Sequence, residues 1–266
     1  MKIPERELDG WLAFGNRLAD ESRLMHREFQ SGPPDVEFKA DNSVVTAMDK
    51  AIETRLRELI TTQYPDHGII GEEQEATNPG AEINWVLDPI DGTAAFIAGM
   101  PVYGTLIALA MEGTPILGIV DIPAVEQRWR GASGRPTTKN GIICRTRKCR
   151  DMSKAVLINC NPDILSATER PALDSLRKVT ARRIYGGASL AYGLLAEGRV
   201  DLAVDSGFMV HDFAAHVPVI QGAGGKITDW AGRPLTLESG RRILAAGDPA
   251  LHREALEMIT DLAVVP

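Results

Sequence analysis

A chain of 266 residues with 44% hydrophobic and 24% charged residues has the composition of an ordinary globular protein, long enough to bury a large core. Its net charge of −7 offers no basic stripe to a nucleic-acid backbone, and no apolar run approaches membrane-spanning length, so neither nucleic acid nor membrane is expected as a partner. Three cysteines without CxxC spacing argue against a disulfide framework and a structural zinc site, and point to a reduced, cytoplasmic protein.

Residues 5–29 set Leu8, Leu12, Leu18 and Leu24 among polar side chains, which predicts an amphipathic helix; the first sixteen residues lack the apolar core of a signal peptide. Residues 31–41 are rich in glycine, proline and aspartate and read as a connection. A second helix is expected over 47–63, with Met48, Ile52, Leu56, Leu59 and Ile60 on one stripe and Thr46 as its N-cap. Tyr64-Pro65-Asp66-His67-Gly68 ends it, and Ile69-Ile70-Gly71 is a short strand running into Glu72 and Glu73.

The stretch Trp85-Val86-Leu87-Asp88-Pro89-Ile90-Asp91-Gly92-Thr93 is an apolar strand that ends in two carboxylates. A buried strand delivering Asp88 and Asp91 to its end must compensate two negative charges or fold at great cost. Divalent cations are the simplest compensation, and hard oxygen donors suit Mg²⁺ rather than zinc. Pro89 constrains the backbone between them. Gly92-Thr93 opens a helix whose free N–H groups would lie beside those cations, and metals next to a helix N-terminus make a phosphate site. An acidic protein that binds an anion needs such local positive charge.

Strands are expected over 103–111, 116–122 and 128–132, an antiparallel meander. Residues 133–152 are basic and polar, and a subdomain boundary is placed there, giving an N-terminal unit 1–150 and a C-terminal unit 151–266. Arg145, Arg147, Lys148 and Arg150 read as a solvated loop, and Trp85 and Trp129 as core. The second half alternates strand and helix: 155–159, 171–176, 188–197, 200–204, 213–222 and 226–228. Pro218 should kink the helix over 213–222. Gly222-Ala223-Gly224-Gly225 follows that helix and reads as its C-terminal stop rather than a nucleotide loop. His211 and His216 stand five apart, the wrong spacing for two ligands on one helical face.

Three further acids flank apolar segments, each with a structural alternative. Asp49, three residues after Thr46, fits a capping box. Asp212 fits a helix N-cap, and Glu72-Glu73 a solvated turn. Only the Asp-Pro-Ile-Asp-Gly-Thr stretch resists explanation as packing.

Together, Val45-Thr46-Ala47-Met48-Asp49, Gly71-Glu72-Glu73, Trp85 through Thr93, His211-Asp212-Phe213-Ala214-Ala215 and Gly222-Ala223-Gly224-Gly225 resemble the inositol monophosphatase family of Mg²⁺-dependent phosphatases, in order and over nearly the whole chain. Within it, residues 105–109, 118–121 and 135–141 look most like the histidinol-phosphate phosphatase branch. The resemblance implies an α+β fold, the five-layered αβαβα sandwich of the inositol monophosphatase and fructose-1,6-bisphosphatase type, in a homodimer. It implies that Glu72, Asp88 and the Ile90 carbonyl hold one Mg²⁺. Asp88, Asp91 and Asp212 would hold a second, roughly 3.5–4 Å away, and a third, weaker ion would lie near Glu72 and Glu73.

Phosphate would accept bonds from the Gly92 and Thr93 N–H groups. Thr93, hydrogen-bonded to Asp49 and assisted by Glu72, would orient and deprotonate the attacking water, with no phosphoenzyme. The resemblance assigns substrate choice to Ala188, Ser189 and Asp205, of which Asp205 could accept from hydroxyls or pair with an ammonium, or else be a strand-end turn acid. His211 replaces the aromatic residue usual before the metal-binding aspartate, which implies lost packing there rather than lost metal. The leading expectation is hydrolysis of histidinol phosphate. Relatives of that branch often carry an acid where Ala188 stands, so inositol or aminocyclitol phosphate stays open, as does a non-catalytic metal- or phosphate-binding relative.

Overall fold

The computed structural model describes residues 3–28, 36–38, 44–260 and 262. Helical spacing gives α1 (Glu5–Glu28) and α2 (Ala47–Gln63) one apolar face each. α1 buries Leu8, Trp11, Phe14 and Leu18; α2 buries Met48, Ile52, Leu56 and Ile60. The α2 N-terminus is a full capping box in which aspartate takes the usual glutamate place: Asp49 N–H donates to Thr46 Oγ1 at 3.4 Å and Thr46 N–H to the Asp49 carboxylate at 2.8 Å. Within the connection expected over 31–41, the described part is β1 (Val36–Phe38), which pairs antiparallel with β2 (Val44–Thr46); the rest lies outside the described residues.

β3 (Gly68–Gly71) runs parallel to β4 (Ile83–Asp91). After α3 (Thr93–Ile97) the chain continues as the expected antiparallel meander through β5 (Gly104–Met111), β6 (Thr114–Ile122) and β7 (Gln127–Ala132). β8 (Thr138–Lys139) and β9 (Ile142–Ile143) extend that sheet inside the polar stretch where composition marks a subdomain boundary. The period-2 alternation splits β4 between two cores: Trp85 and Leu87 face α1 and α2, whereas Val86 faces the middle of the molecule. With both faces covered, β4 is buried from Asn84 to Ile90.

The second sheet assembles β10 (Val156–Asn159), β11 (Arg182–Tyr185), β12 (Leu202–Asp205), β13 (Lys226–Asp229) and β14 (Ile243–Ala246) in the order β11-β10-β12-β14-β13. Its helices are α4 (Arg170–Val179), α5 (Leu190–Ala196), α6 (Val210–Phe213), α7 (His216–Gly222) and α8 (Pro249–Thr260). Tyr192 and Leu195 of α5 and Val219 and Ile220 of α7 share one core with Val120 and Trp129 of the first sheet and Ile158, Ala203 and Ile243 of the second. Leu173 of α4 and Leu251 of α8 pack with Leu157, Leu202 and Leu244 on the far face. The layers are therefore α1/α2, sheet, α5/α7, sheet, α4/α8: the α+β sandwich expected.

The helix expected over 213–222 is instead two, α6 and α7, with Ala214-Ala215 between them. Pro218 has no N–H to offer the Ala214 carbonyl, so the ladder breaks four residues upstream of it. Pro218 itself sits in the first turn of α7, where a missing N–H costs nothing, so it starts a helix rather than kinking one. Gly224, at φ +96°, and the Gly225 N–H bonded to the Ile220 carbonyl then stop α7 as the glycine run predicts. Arg147 departs from the solvated loop: its guanidinium clamps the buried Asp201 carboxylate at 2.8 and 2.5 Å. Trp85 and Trp129 are fully buried, as expected. α8 goes unnoticed in the sequence pattern, although Asp248 at its N-cap, accepting the Ala250 N–H at 2.9 Å, and Pro249 at its first position announce it.

Candidate metal centre

β4 pairs with β5 in regular register as far as Asp88, and the ladder is irregular between Asp88 and Asp91, where Pro89 has no N–H to give. The chain then turns through Gly92 at φ +82° into α3. A side chain is doubly disfavoured there, because a Cβ on Gly92 would also come within 2.7 Å of the Ala188 Cβ. This turn places the two aspartates of β4 beside residues from distant parts of the chain. One carboxylate oxygen each from Asp88, Asp91 and Asp212 lie within 4.8 Å of one another. A second set, Glu72, Asp88 and a ring nitrogen of His211, meets the same limit, so Asp88 belongs to both.

Backbone donors aim these side chains. The Ser189 N–H donates to Asp91 Oδ2 and the Met209 N–H to Asp212 Oδ2, each at 2.5 Å. Asp212 is thus the third residue of α6, reaching back to the residue before the helix, and not its N-cap. Glu72 follows β3 in a turn held by Glu53, a residue the motif reading passes over. Glu53 is fully buried on α2; its carboxylate accepts the Glu73 N–H at 2.7 Å, the Gln74 N–H at 3.0 Å and Arg57 Nε at 2.8 Å. Its signal in the sequence is the i, i+4, i+8 spacing of Asp49, Glu53 and Arg57, which puts three charged groups on one helix face. Among the described residues Glu73 is in neither set of converging groups. The Ile90 carbonyl accepts the Thr93 hydroxyl at 3.1 Å, and that hydroxyl lies 3.4 Å from Asp49 Oδ1.

Burial, with repulsion from neighbouring carboxylates, raises the aspartates at this point. Asp88, 1% exposed, is held well above the ordinary range by burial and then by the charges of Glu72, Asp91 and Asp212. Burial pushes Asp91 and Asp212 up to about 7, reinforced at Asp91 by the Asp212 charge and at Asp212 by those of Glu72 and Asp205. Burial also raises Asp49, against the hydrogen bonds from Thr46. Asp88 Oδ1 has no hydrogen-bond partner among the described residues. An orphaned buried carboxylate oxygen amid converging hard oxygen donors fits a divalent cation, which would satisfy the atom and neutralise the repulsion.

The residues expected to choose the substrate border this centre. Ala188 occupies the left-handed region at φ +42°, next to Gly92, and its carbonyl accepts from the Cys160 thiol at 3.5 Å. Ser189 carries a buried hydroxyl oxygen with no partner among the described residues. Asp205, 2% exposed at the end of β12, accepts from Asn159 Nδ2 at 2.9 Å, the Cys160 N–H at 2.7 Å and the Tyr192 hydroxyl at 2.9 Å. Those three donors from the protein occupy much of its accepting capacity, though burial still raises it to about 6. A cavity of about 730 Å³ near this strand end is lined by Glu169, Ser206, Gly207, Arg241 and Arg242. Its charges are spoken for: Arg242 pairs with Glu169 at 2.8 Å and Arg241 donates to the Gly207 carbonyl at 2.9 Å.

Residues 12–263 match the sequence model of the inositol monophosphatase family. Over 267 aligned residues the chain is 41% identical to the bifunctional phosphatase IMPL2, chloroplastic, of Arabidopsis thaliana, covering 97% of this chain and 77% of that protein. It is 35% identical to a histidinol-phosphatase of Mycobacterium tuberculosis over 74% of this chain and 78% of the other. The solved structure of an inositol monophosphatase from Zymomonas mobilis superposes with a TM-score of 0.87 at 39% identity, over 94% of this chain and 98% of that one.

Proposed function

Because this chain belongs to the inositol monophosphatase family of metal-dependent phosphatases, we propose that it hydrolyses a small phosphate monoester with Mg²⁺, histidinol phosphate first among the candidates. The observation that carries the reading is the convergence of Asp88, Asp91 and Asp212, with Glu72 also close to Asp88. Glu72, Asp88 and the Ile90 carbonyl would hold one ion and Asp88, Asp91 and Asp212 another, with Glu73 nearest a weaker third, making two to three per subunit. When bound, these ions supply the positive charge that the phosphoryl oxygens and the leaving oxygen require, and acidify an attacking water.

The chain's own groups do the rest. The N–H groups of Gly92 and Thr93, at the start of α3, have no intrahelical partners and would be free to receive an anion at that end. Asp49 is fixed by the Thr46 N–H and hydroxyl on its Oδ2, which leaves Oδ1 to take the Thr93 proton. Thr93 Oγ1 is then an acceptor that orients water and passes its proton toward Asp49, with Glu72 assisting. A carboxyl already raised by burial is a better proton acceptor than a solvated one. No protein nucleophile is needed.

The Mycobacterium histidinol-phosphatase supports histidinol phosphate. The small Ala188 and the Zymomonas inositol monophosphatase support inositol or aminocyclitol phosphate as the second reading. We further read the protein as a cytoplasmic homodimer; among the described residues no helix is long and apolar enough to cross a membrane. The test is turnover of histidinol phosphate, inositol 1-phosphate and an aminocyclitol phosphate, with and without Mg²⁺, by the wild type and by Asp91→Asn. A strong preference for one ester, lost without Mg²⁺ and reduced at least about 100-fold in Asp91→Asn, supports the reading. Hydrolysis unaffected by the substitution would place the chemistry away from Asp91, and turnover of no ester would leave only a binding role.

A further inference from the structure

The second set of converging groups has a donor composition that magnesium does not call for. A ring nitrogen of His211 and one oxygen each of Glu72 and Asp88 lie within 4.8 Å of one another. Donors bound to one ion at roughly 2.0–2.2 Å are at most about 4.4 Å apart, so only small side-chain movements separate this arrangement from a coordination shell. An independent observation points the same way. Asp88 is 1% exposed, and its Oδ1 is buried without a hydrogen-bond partner among the described residues; a cation at this point would relieve that cost. α6 explains how the ring gets there. His211 and Asp212 are successive helical residues, so their side chains diverge by about 100°. Asp212 reaches the all-carboxylate set and His211 the mixed one, with Nε2 3.8 Å from Asp212 Oδ1.

We propose that His211 supplies a nitrogen ligand to an ion shared with Glu72 and Asp88, and that this position prefers a first-row transition ion, probed as manganese(II), over magnesium. Imidazole suits the later first-row transition ions best; manganese(II), though it too favours oxygen, accepts a nitrogen more readily than magnesium, which gains little from one. The all-carboxylate set keeps its oxygen preference, so the two positions differ in the ion they favour. The inference rests on the metal-dependent reading above and goes beyond it in naming a ligand and a preference.

The test is binding of Mn²⁺ to the substrate-free protein, followed by pulsed electron paramagnetic resonance and by calorimetric titration. The wild type is expected to show nitrogen-14 modulation from a coordinated imidazole. His211→Phe should lose that modulation and bind Mn²⁺ about tenfold or more weakly at one position, while Mg²⁺ affinity changes less than about threefold. His211→Gln serves as a second variant if the phenylalanine disturbs folding, with circular dichroism as the check. Wild-type spectra without nitrogen coupling, or coupling unchanged in both variants, overturn the proposal. The phosphatase reading fails separately. Nitrogen-ligated Mn²⁺ in a protein that hydrolyses no ester upholds the ligand and sinks the activity, and Mg²⁺-dependent turnover without nitrogen coupling does the reverse.

Discussion

The carboxylate of Asp49 accepts the Thr46 N–H at 2.8 Å on one oxygen, while its other oxygen lies 3.4 Å from the Thr93 hydroxyl. The capping reading of this residue and its placement beside Thr93 are therefore compatible, because a carboxylate has two oxygens and the helix uses one. Glu53, one turn further along α2, spends its carboxylate on the backbone that carries Glu72. Glu53→Gln keeps the shape but gives the Glu73 and Gln74 N–H groups a single, weaker acceptor oxygen. It should weaken divalent-ion binding roughly 10- to 100-fold with the fold intact, read by calorimetric titration and circular dichroism. Unchanged affinity would mean that the turn needs no such support. The aspartates also set a pH dependence. Asp91 and Asp212 titrate near 7 in the folded protein against an ordinary 3.8, so between about pH 4 and 7 the native state binds more protons than the unfolded one. Stability without divalent ions is then greatest in acid and falls as pH rises across that window. The urea midpoint of ion-free protein should be lower at pH 8 than at pH 5, and saturating Mg²⁺ should shrink the difference. A midpoint that rises with pH contradicts this.

At the scale of elements, α7 lies so close to the first sheet that two strand positions tolerate only glycine. A Cβ on Gly118 would fall 2.0 Å from the Ala215 carbonyl oxygen, and one on Gly131 would fall 2.3 Å from that of Pro218. Both contacts are backbone, which cannot swing aside. Gly118→Ala should therefore destabilise by about 1–3 kcal/mol through displacement of α7. Because α6 leads directly into α7, the same substitution should also weaken metal binding. A urea midpoint within error of wild type would show that α7 has room to move. The two-helix break made by Pro218 belongs here too, since a continuous helix over 210–222 would carry His211 and Asp212 on a different line from the one that meets β4.

At the scale of the whole molecule, the candidate metal centre draws Glu72 from the end of β3, Asp88 and Asp91 from β4, and Asp212 and His211 from α6. Those elements meet only when both sheets close on the central layer of Tyr192, Val219, Ile220 and Trp129. Binding of a divalent ion there would thus be linked to global folding, and an ion at 100 times its dissociation constant should add about 2.7 kcal/mol. A rise in Tm with Mg²⁺ that is absent in Asp212→Asn is the expected outcome; equal rises in both proteins would place the bound ion elsewhere.

The sequence by itself determined the elements whose cause is local: the apolar stripes and Thr46 cap of α1 and α2, the meander of β5 to β7, and the end of β4 in Asp88 and Asp91. Local period and turn chemistry act within a few residues, so they are legible along the chain. It also indicated the α+β sandwich and the family, through motifs spread in order over its length. Only the tertiary structure decided that Glu53 props the Glu72 turn and that Asp205 is engaged by Asn159, Cys160 and Tyr192. The same holds for the His211 ring, which lies within 4.8 Å of ligand atoms of Glu72 and Asp88. The reason is physical. A carboxylate or an imidazole acquires its role from which distant groups share its burial, and that depends on how layers more than a hundred residues apart close on one another.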